Sequence, residues 1–100
     1  MRIVRVVFSP EARDDLLGLY DYIADRAGED LALRYIERIE VYCRRFETFP
    51  ERGTKRDDIR HGLRIVGFER RVTIAFHCDA DATIIDRILY GGRNLDVVLS

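Results

Sequence analysis

Apolar residues recur along the first half of the chain with the spacing of helices. Residues 3–8 (IVRVVF) are rich in β-branched side chains and predict a strand that ends at Ser9-Pro10. Ser9 is a good N-cap, Pro10 suits the first helical position, and apolar residues then recur every three or four positions as far as Gly28. This pattern predicts an amphipathic helix over residues 10–27.

A second helical pattern follows almost at once. Apolar positions from Leu31 to Phe49 keep the same spacing and stop at Pro50, which cannot continue a helix. Because so few residues separate the two patterns, an antiparallel helical hairpin is expected. Residues 50–59 combine proline, glycine and charges and predict an exposed connection.

The period changes after residue 62. Residues 63–68, 71–78 and 83–90 predict three strands with short breaks between them, typical of consecutive hairpins. The element order is therefore β-α-α-β-β-β. It indicates an α+β fold in which the helical hairpin covers one face of an antiparallel sheet, and the length predicts a single domain over residues 1–100.

Composition narrows the class of protein. Hydrophobic residues make up 47% of the chain and charged residues 35%, as in a soluble globular domain. The apolar runs are far shorter than the roughly 20 residues that cross a bilayer, and the start of the chain lacks a long apolar signal core. A cytoplasmic protein is expected.

Charge is segregated although the net charge is only −1. Residues 11–40 hold nine acids and four arginines, whereas residues 44–71 hold nine bases and five acids. This distribution suits docking on an acidic surface or a phosphate chain, or it reflects solvated faces alone. Cys43 and Cys78 form no CxxC pair and have no histidine-rich neighbourhood, so we expect buried free thiols, no metal site and no cofactor.

Four segments in order resemble the ParE/RelE toxin superfamily of type II toxin–antitoxin systems: FSPEA (residues 8–12), GLRI (62–65), RVTIAF (71–76) and ILYGGRNL (88–95). The last segment resembles the ParE-like branch. The resemblance spans nearly the whole chain and implies the RelE/ParE toxin-like fold. It also implies a toxin that binds and inhibits DNA gyrase instead of turning over a substrate.

The resemblance suggests residues for target binding. Arg64 and Arg71 occupy positions similar to those of the arginines of the RelE-type ribonucleases, and Arg93 follows the last strand. These three are the expected target-binding residues. The tail at residues 96–100 supplies neither the tyrosine nor the histidine that the ribonucleases carry, and Lys55 is the only lysine. No catalytic residue is therefore assigned.

The resemblance also implies a ParD-like antitoxin, whose partly disordered tail folds onto the toxin. An apolar groove between the helical hairpin and the sheet is the expected receptor for an antitoxin helix. The candidate contacts are Leu17, Tyr20, Tyr22 and Leu31.

Two alternatives stay open. One is a ribosome-dependent mRNA endoribonuclease that uses Arg64, Arg71, and His61 or His77 as an imidazole base. His77 alternates with apolar residues on a strand and is expected instead to be a hydrogen-bonded structural histidine, and His61 to lie on the surface. The other is a relative without toxicity that only binds the antitoxin.

Overall fold

The chain folds as a helical hairpin on a sheet. The computed structural model describes residues 4–91 and residue 98. Within them lie β1 (Arg5–Phe8), α1 (Pro10–Ala27), α2 (Glu29–Arg44), a 3-10 helix (Arg45–Glu47), β2 (Thr54–Lys55), β3 (Arg64–Phe68), β4 (Val72–Cys78) and β5 (Ala82–Tyr90).

The helical hairpin begins and turns where the sequence predicts. The Ser9 side chain accepts a hydrogen bond from the Ala12 N–H at 3.0 Å, which satisfies one of the free donors of the first turn of α1. Gly28 lies between the helices with a φ of 97°, a conformation that glycine adopts without steric cost. Its N–H bonds to Ala24 and its carbonyl to the Ala32 N–H, so one residue ends α1 and starts α2.

The second helix is shorter than the pattern predicts. It ends at Arg44, and the 3-10 helix carries the chain on to Glu47. Phe46 is nevertheless fully buried and packs on Phe76 with ring centroids 4.6 Å apart. The apolar spacing therefore identified the buried residue correctly, but Phe49, at 63% exposed, lies outside the core.

The sheet has five strands in the order β1-β5-β4-β3-β2 within the described residues. The hairpins β3–β4 and β4–β5 are those that the sequence predicts. β2 lies inside the segment expected to be a plain connection, with Thr54 opposite Ile65. The chain enters β2 through Gly53, where a Cβ atom would lie 2.2 Å from the Ile65 carbonyl oxygen, so only glycine fits there.

The sheet is mixed and not wholly antiparallel, because β1 pairs parallel to β5. β1 stops opposite Ile85, where the Ser9 N–H bonds to the Ile85 carbonyl and the Ser9 hydroxyl to the Asp86 carbonyl. From there α1 runs beside the remaining half of β5. Helix and strand thus share one edge of β5, an arrangement that the local pattern does not reveal.

The core lies between the hairpin and the sheet. Its buried members come from both helices, the 3-10 helix and strands β3 to β5: Ala12, Leu19, Ile39, Cys43, Phe46, Phe68, Val72, Ile74, Phe76, Ile85 and Ile88. Among the described residues, neither helix is long and apolar enough to cross a membrane.

Candidate functional site

The two described arginines of the expected target-binding set lie at opposite ends of the β3–β4 hairpin. Arg64 pairs in register with Phe76, whereas Arg71 lies in the turn just before Val72. Five residues of strand separate these levels, about 17 Å at the usual rise. Arg64 and Arg71 therefore do not form one phosphate clamp.

Their surroundings differ as well. Arg64 is half-buried on the helix-covered side of the sheet, and its guanidinium donates to the Arg52 carbonyl at 3.4 Å. Arg71 is exposed, and its carbonyl accepts from the Gly91 N–H at 2.8 Å, which ties the turn to the end of β5. Arg93, the third expected residue, lies outside the described residues.

An apolar groove runs between the two helices on the outer surface of the hairpin. It has a volume of about 410 Å³, and its lining comes from both helices: Arg13, Leu16, Leu17, Tyr20, Leu33, Ile36 and Glu40. Leu17 is 65% exposed and Leu33 is 51% exposed. Leu17 and Tyr20, two of the expected antitoxin contacts, thus lie together in a groove, but this groove is between the helices and not between the hairpin and the sheet.

The groove continues toward the edge of the sheet. Arg13, Leu16 and Glu40 also line a second depression of about 290 Å³, which reaches the edge strand at Val6 and Phe8. The two depressions share these residues and form one path from the hairpin to β1. We call this path the α1–α2 groove.

The other two expected antitoxin contacts lie elsewhere. Tyr22 is on another side of α1, where its ring packs on Tyr90 with centroids 5.4 Å apart and lines a depression of about 430 Å³ between α1 and β5, the kind of position expected from the sequence. Leu31, 52% exposed at the start of α2, does not line the α1–α2 groove. Leu33 was missed, although a signal was present, since it is a large apolar residue that falls outside the core-facing stripe of α2.

A partly buried ion pair holds α1 in place beside β5. Asp15 accepts two hydrogen bonds of 2.8 Å from the Arg87 guanidinium and one of 2.9 Å from the Ile88 N–H. The hydrogen bond to Asp15 raises the pKa of Arg87 above its ordinary value. Asp15 thereby satisfies the part of the β5 edge that β1 leaves free, and it fixes the helix that supplies Leu16, Leu17 and Tyr20.

The histidines occupy two different environments. His77 lies 2.7 Å from Asp86 through Nδ1, and Arg60 contacts the same carboxylate oxygen at 3.0 Å. Asp86 sits at the irregularity of the β4–β5 pair, and this cluster ties the loop before β3 to the sheet. His61 is fully exposed and is 3.9 Å from Asp57. His77 thus has the hydrogen-bonded position expected of a structural histidine.

The cysteines are free thiols, but only one is buried. Burial and, to a smaller extent, the negative charge of Glu40 raise the pKa of Cys43 to about 12. Cys78 is exposed, contrary to the expectation of two buried thiols; it is the last residue of β4, and its Sγ lies 3.5 Å from the Pro50 carbonyl oxygen. The described part of the chain contains no cluster of histidine, cysteine and carboxylate side chains that could hold a metal ion.

Fold and surface together define a small α+β domain with an exposed apolar groove on its helical hairpin. The fold is shared with a chain of a solved structure described as the chromosomal ParDE TA system from P. aeruginosa. The TM-score is 0.78 at 21% identity, over 89% of this chain and 97% of the other.

Sequence comparison gives the family. A family model described as the ParE toxin of the parDE type II toxin–antitoxin system matches residues 6–95, and the protein belongs to this family. The chain is also 29% identical to Toxin ParE3 of Caulobacter vibrioides over 91 residues, which cover 91% of this chain and 90% of that toxin.

Proposed function

We propose that this ParE-family toxin inhibits DNA gyrase by binding to it in the cytoplasm, without catalysis, and that a ParD-like antitoxin neutralises it. Family membership supports the toxin role, and the names of its relatives point to a ParD partner. The observation that carries the antitoxin proposal is the α1–α2 groove, where leucines more than half exposed face solvent.

The groove has the chemistry of a receptor for an amphipathic helix. The depression between the helices is lined largely by apolar side chains, with Arg13 and Glu40 as its charged members, and the depression beside β1 adds Arg44 and Glu47. A helix with apolar side chains at every third or fourth position would bury them against Leu17, Tyr20 and Leu33 and leave its polar face in water. A following extended segment would reach the second depression beside β1, which is an edge strand.

The antitoxin proposal is tested with single substitutions and the cognate antitoxin. Leu17→Asp and Leu33→Asp place a charge in the groove and should each weaken binding about a hundredfold or more, measured by calorimetry. Leu31→Asp is the matched control, since Leu31 is similarly exposed at 52% but lies off the groove. Equal losses for all three variants would refute the groove, and Leu31 and Tyr22 would return as contacts.

Target binding is assigned to the end of the sheet where Arg71 lies. Arg71 is exposed there and is tied to Gly91, two residues before Arg93 in the sequence. We propose Arg71 and Arg93 as contacts to gyrase or to its bound DNA, with Arg64 as a separate, half-buried candidate. Charge-to-alanine variants of each should be compared for gyrase inhibition at equal folded concentration.

The deciding experiment is a gyrase supercoiling and DNA-cleavage assay, run beside ribosome-stimulated mRNA cleavage with the same purified protein. Gyrase-linked DNA breaks without RNA cuts would support the proposal. RNA cuts alone would replace it with the ribonuclease alternative, with His77, His61, Arg64 and Arg71 as the residues to vary. Activity in neither assay, with antitoxin binding intact, would indicate a relative without toxicity.

A further inference from the structure

A second groove lies on another side of α2, next to strand β3. Arg34, Arg38, Val41, Tyr42 and Arg45 recur at helical spacing and line it. The opposite wall is formed by Phe68 and Glu69, and the volume is about 540 Å³. We call it the α2–β3 groove. It shares no residue with the α1–α2 groove.

The floor of the α2–β3 groove is apolar. Val41 is 54% exposed, because it falls outside the core-facing stripe of α2. Beside it, the half-buried Tyr42 ring packs on Phe68 with centroids 5.2 Å apart. Val41, Tyr42 and Phe68 therefore form a preorganised surface that a large apolar side chain can cover.

Positive charge surrounds this floor. Arg38 and Glu69 neutralise each other through two hydrogen bonds of 2.7 and 3.0 Å. In the part of the chain that the structure describes, Arg34 and Arg45 make no ion pair, and only Glu37 remains as a carboxylate lining the groove. Arg52 adds a guanidinium 5.8 Å from the Tyr42 ring, so cations outnumber the free acids around the floor.

The backbone beside the groove is also available. β2 pairs with β3 only at Arg64 and Ile65, and in residues 4–91 no strand lies outside Val66 to Phe68. An unpaired strand edge is a template for an extended segment of another chain.

We propose that the α2–β3 groove binds an extended acidic segment of a partner protein. A large apolar side chain of the segment covers Val41, Tyr42 and Phe68, and flanking carboxylates pair with Arg34, Arg45 and Arg52. Single-stranded nucleic acid also binds arginine and aromatic side chains. The apolar floor of Val41, Tyr42 and Phe68 favours a peptide with a large apolar side chain over a phosphate chain.

The test uses the full-length protein and a fluorescein-labelled peptide of alternating glutamate and serine around a central phenylalanine. Arg45→Glu should weaken binding of this peptide at least about tenfold, as expected for loss of a charge-assisted contact. Arg44→Glu is the control, because this substitution makes the same change in net charge. Arg44 is the neighbouring exposed arginine, and it lines the α1–α2 groove instead. Val41→Asp should abolish binding of the peptide, and replacing its phenylalanine with serine should do the same.

Each other outcome overturns the proposal. Equal losses for Arg44→Glu and Arg45→Glu would mean unspecific attraction to a basic surface. Tight binding of oligothymidylate in place of the peptide would make the groove a nucleic-acid site. No detectable peptide binding by the wild-type protein, shown to be folded by circular dichroism, would refute a docking site of this chemistry. None of these results depends on gyrase inhibition or on the antitoxin.

Discussion

Replacing Asp15 with alanine should destabilise the protein more than the same change at the exposed aspartates of α1. Asp15 is only 10% exposed and accepts three hydrogen bonds, two from the Arg87 guanidinium and one from the Ile88 N–H. Without Asp15, Arg87 becomes a cation that is 19% exposed and has lost its counterion, and the Ile88 N–H loses its acceptor.

The magnitude follows from these contacts. Breaking a buried ion pair by removing one partner costs about 3–5 kcal/mol, and an unsatisfied buried N–H costs about 1–3 kcal/mol. Arg87 can recover part of its hydration by moving toward solvent, so the lower end applies. We expect a loss of about 3 kcal/mol in the free energy of unfolding, equivalent to about 15 °C in Tm for a domain of this size.

The assay is urea unfolding followed by far-UV circular dichroism, with the m-value checked for constancy. Asp14→Ala is the matched control, because Asp14 is the adjacent exposed aspartate and should change stability by less than about 0.5 kcal/mol. The stability loss of Asp15→Asn should fall between those of Asp15→Ala and Asp14→Ala, since an amide oxygen can still accept a hydrogen bond from the Ile88 N–H. If the free energy of unfolding of Asp15→Ala lies within about 0.5 kcal/mol of the wild-type value, the ion pair of Asp15 and Arg87 does not anchor α1.

Three further predictions concern separate parts of the molecule. In the native protein at pH 8, a disulfide reagent should modify Cys78 and not Cys43. Burial raises the pKa of Cys43 to about 12, so its neutral form stabilises the fold below about pH 9 and this contribution is lost as pH rises toward 12. Gly53→Ala should lower the free energy of unfolding by about 2–3 kcal/mol, because the new Cβ would meet backbone atoms. Gly18→Ala, in the open middle of α1, should raise it by about 0.5–1 kcal/mol. Both changes are measured by urea unfolding. The hydrogen bond from Arg38 lowers the pKa of Glu69, so ionised Glu69 stabilises the fold above about pH 4.5, and this stabilisation is lost on further acidification. Glu69→Gln should therefore lower the urea midpoint at pH 7, and this effect should shrink as the pH falls below 4.5.

Much of the fold was predictable because it depends on local chemistry. Ser9 caps α1 and Gly28 separates the helices, as their conformational preferences require. The alternation of apolar residues identified β3, β4 and β5 within one residue of their observed bounds. The two-residue β2 was not predictable, because so short a strand has no period and is defined only by its pairing with β3.

The candidate site was predictable only in part. Leu17 and Tyr20 line the groove between the helices, Tyr22 lines a separate depression between α1 and β5, and Leu31 lines neither. Leu33 and Val41 could have been found from their position off the core-facing stripe of α2. Only the tertiary structure shows that Leu33 lies beside α1, whereas Val41 lies beside β3.

The sequence by itself determined the helices, their hairpin, the late strands and the family resemblance, because periodicity and capping are properties of neighbouring residues. Only the tertiary structure decided that β1 runs parallel to β5 and that Asp15 completes the same edge. It also placed Arg64 and Arg71 at opposite ends of a hairpin. The physical reason is that side-chain spacing reports which face of an element is buried, whereas the choice of partner across a long sequence separation depends on backbone hydrogen bonds and packing that form only in the complete fold.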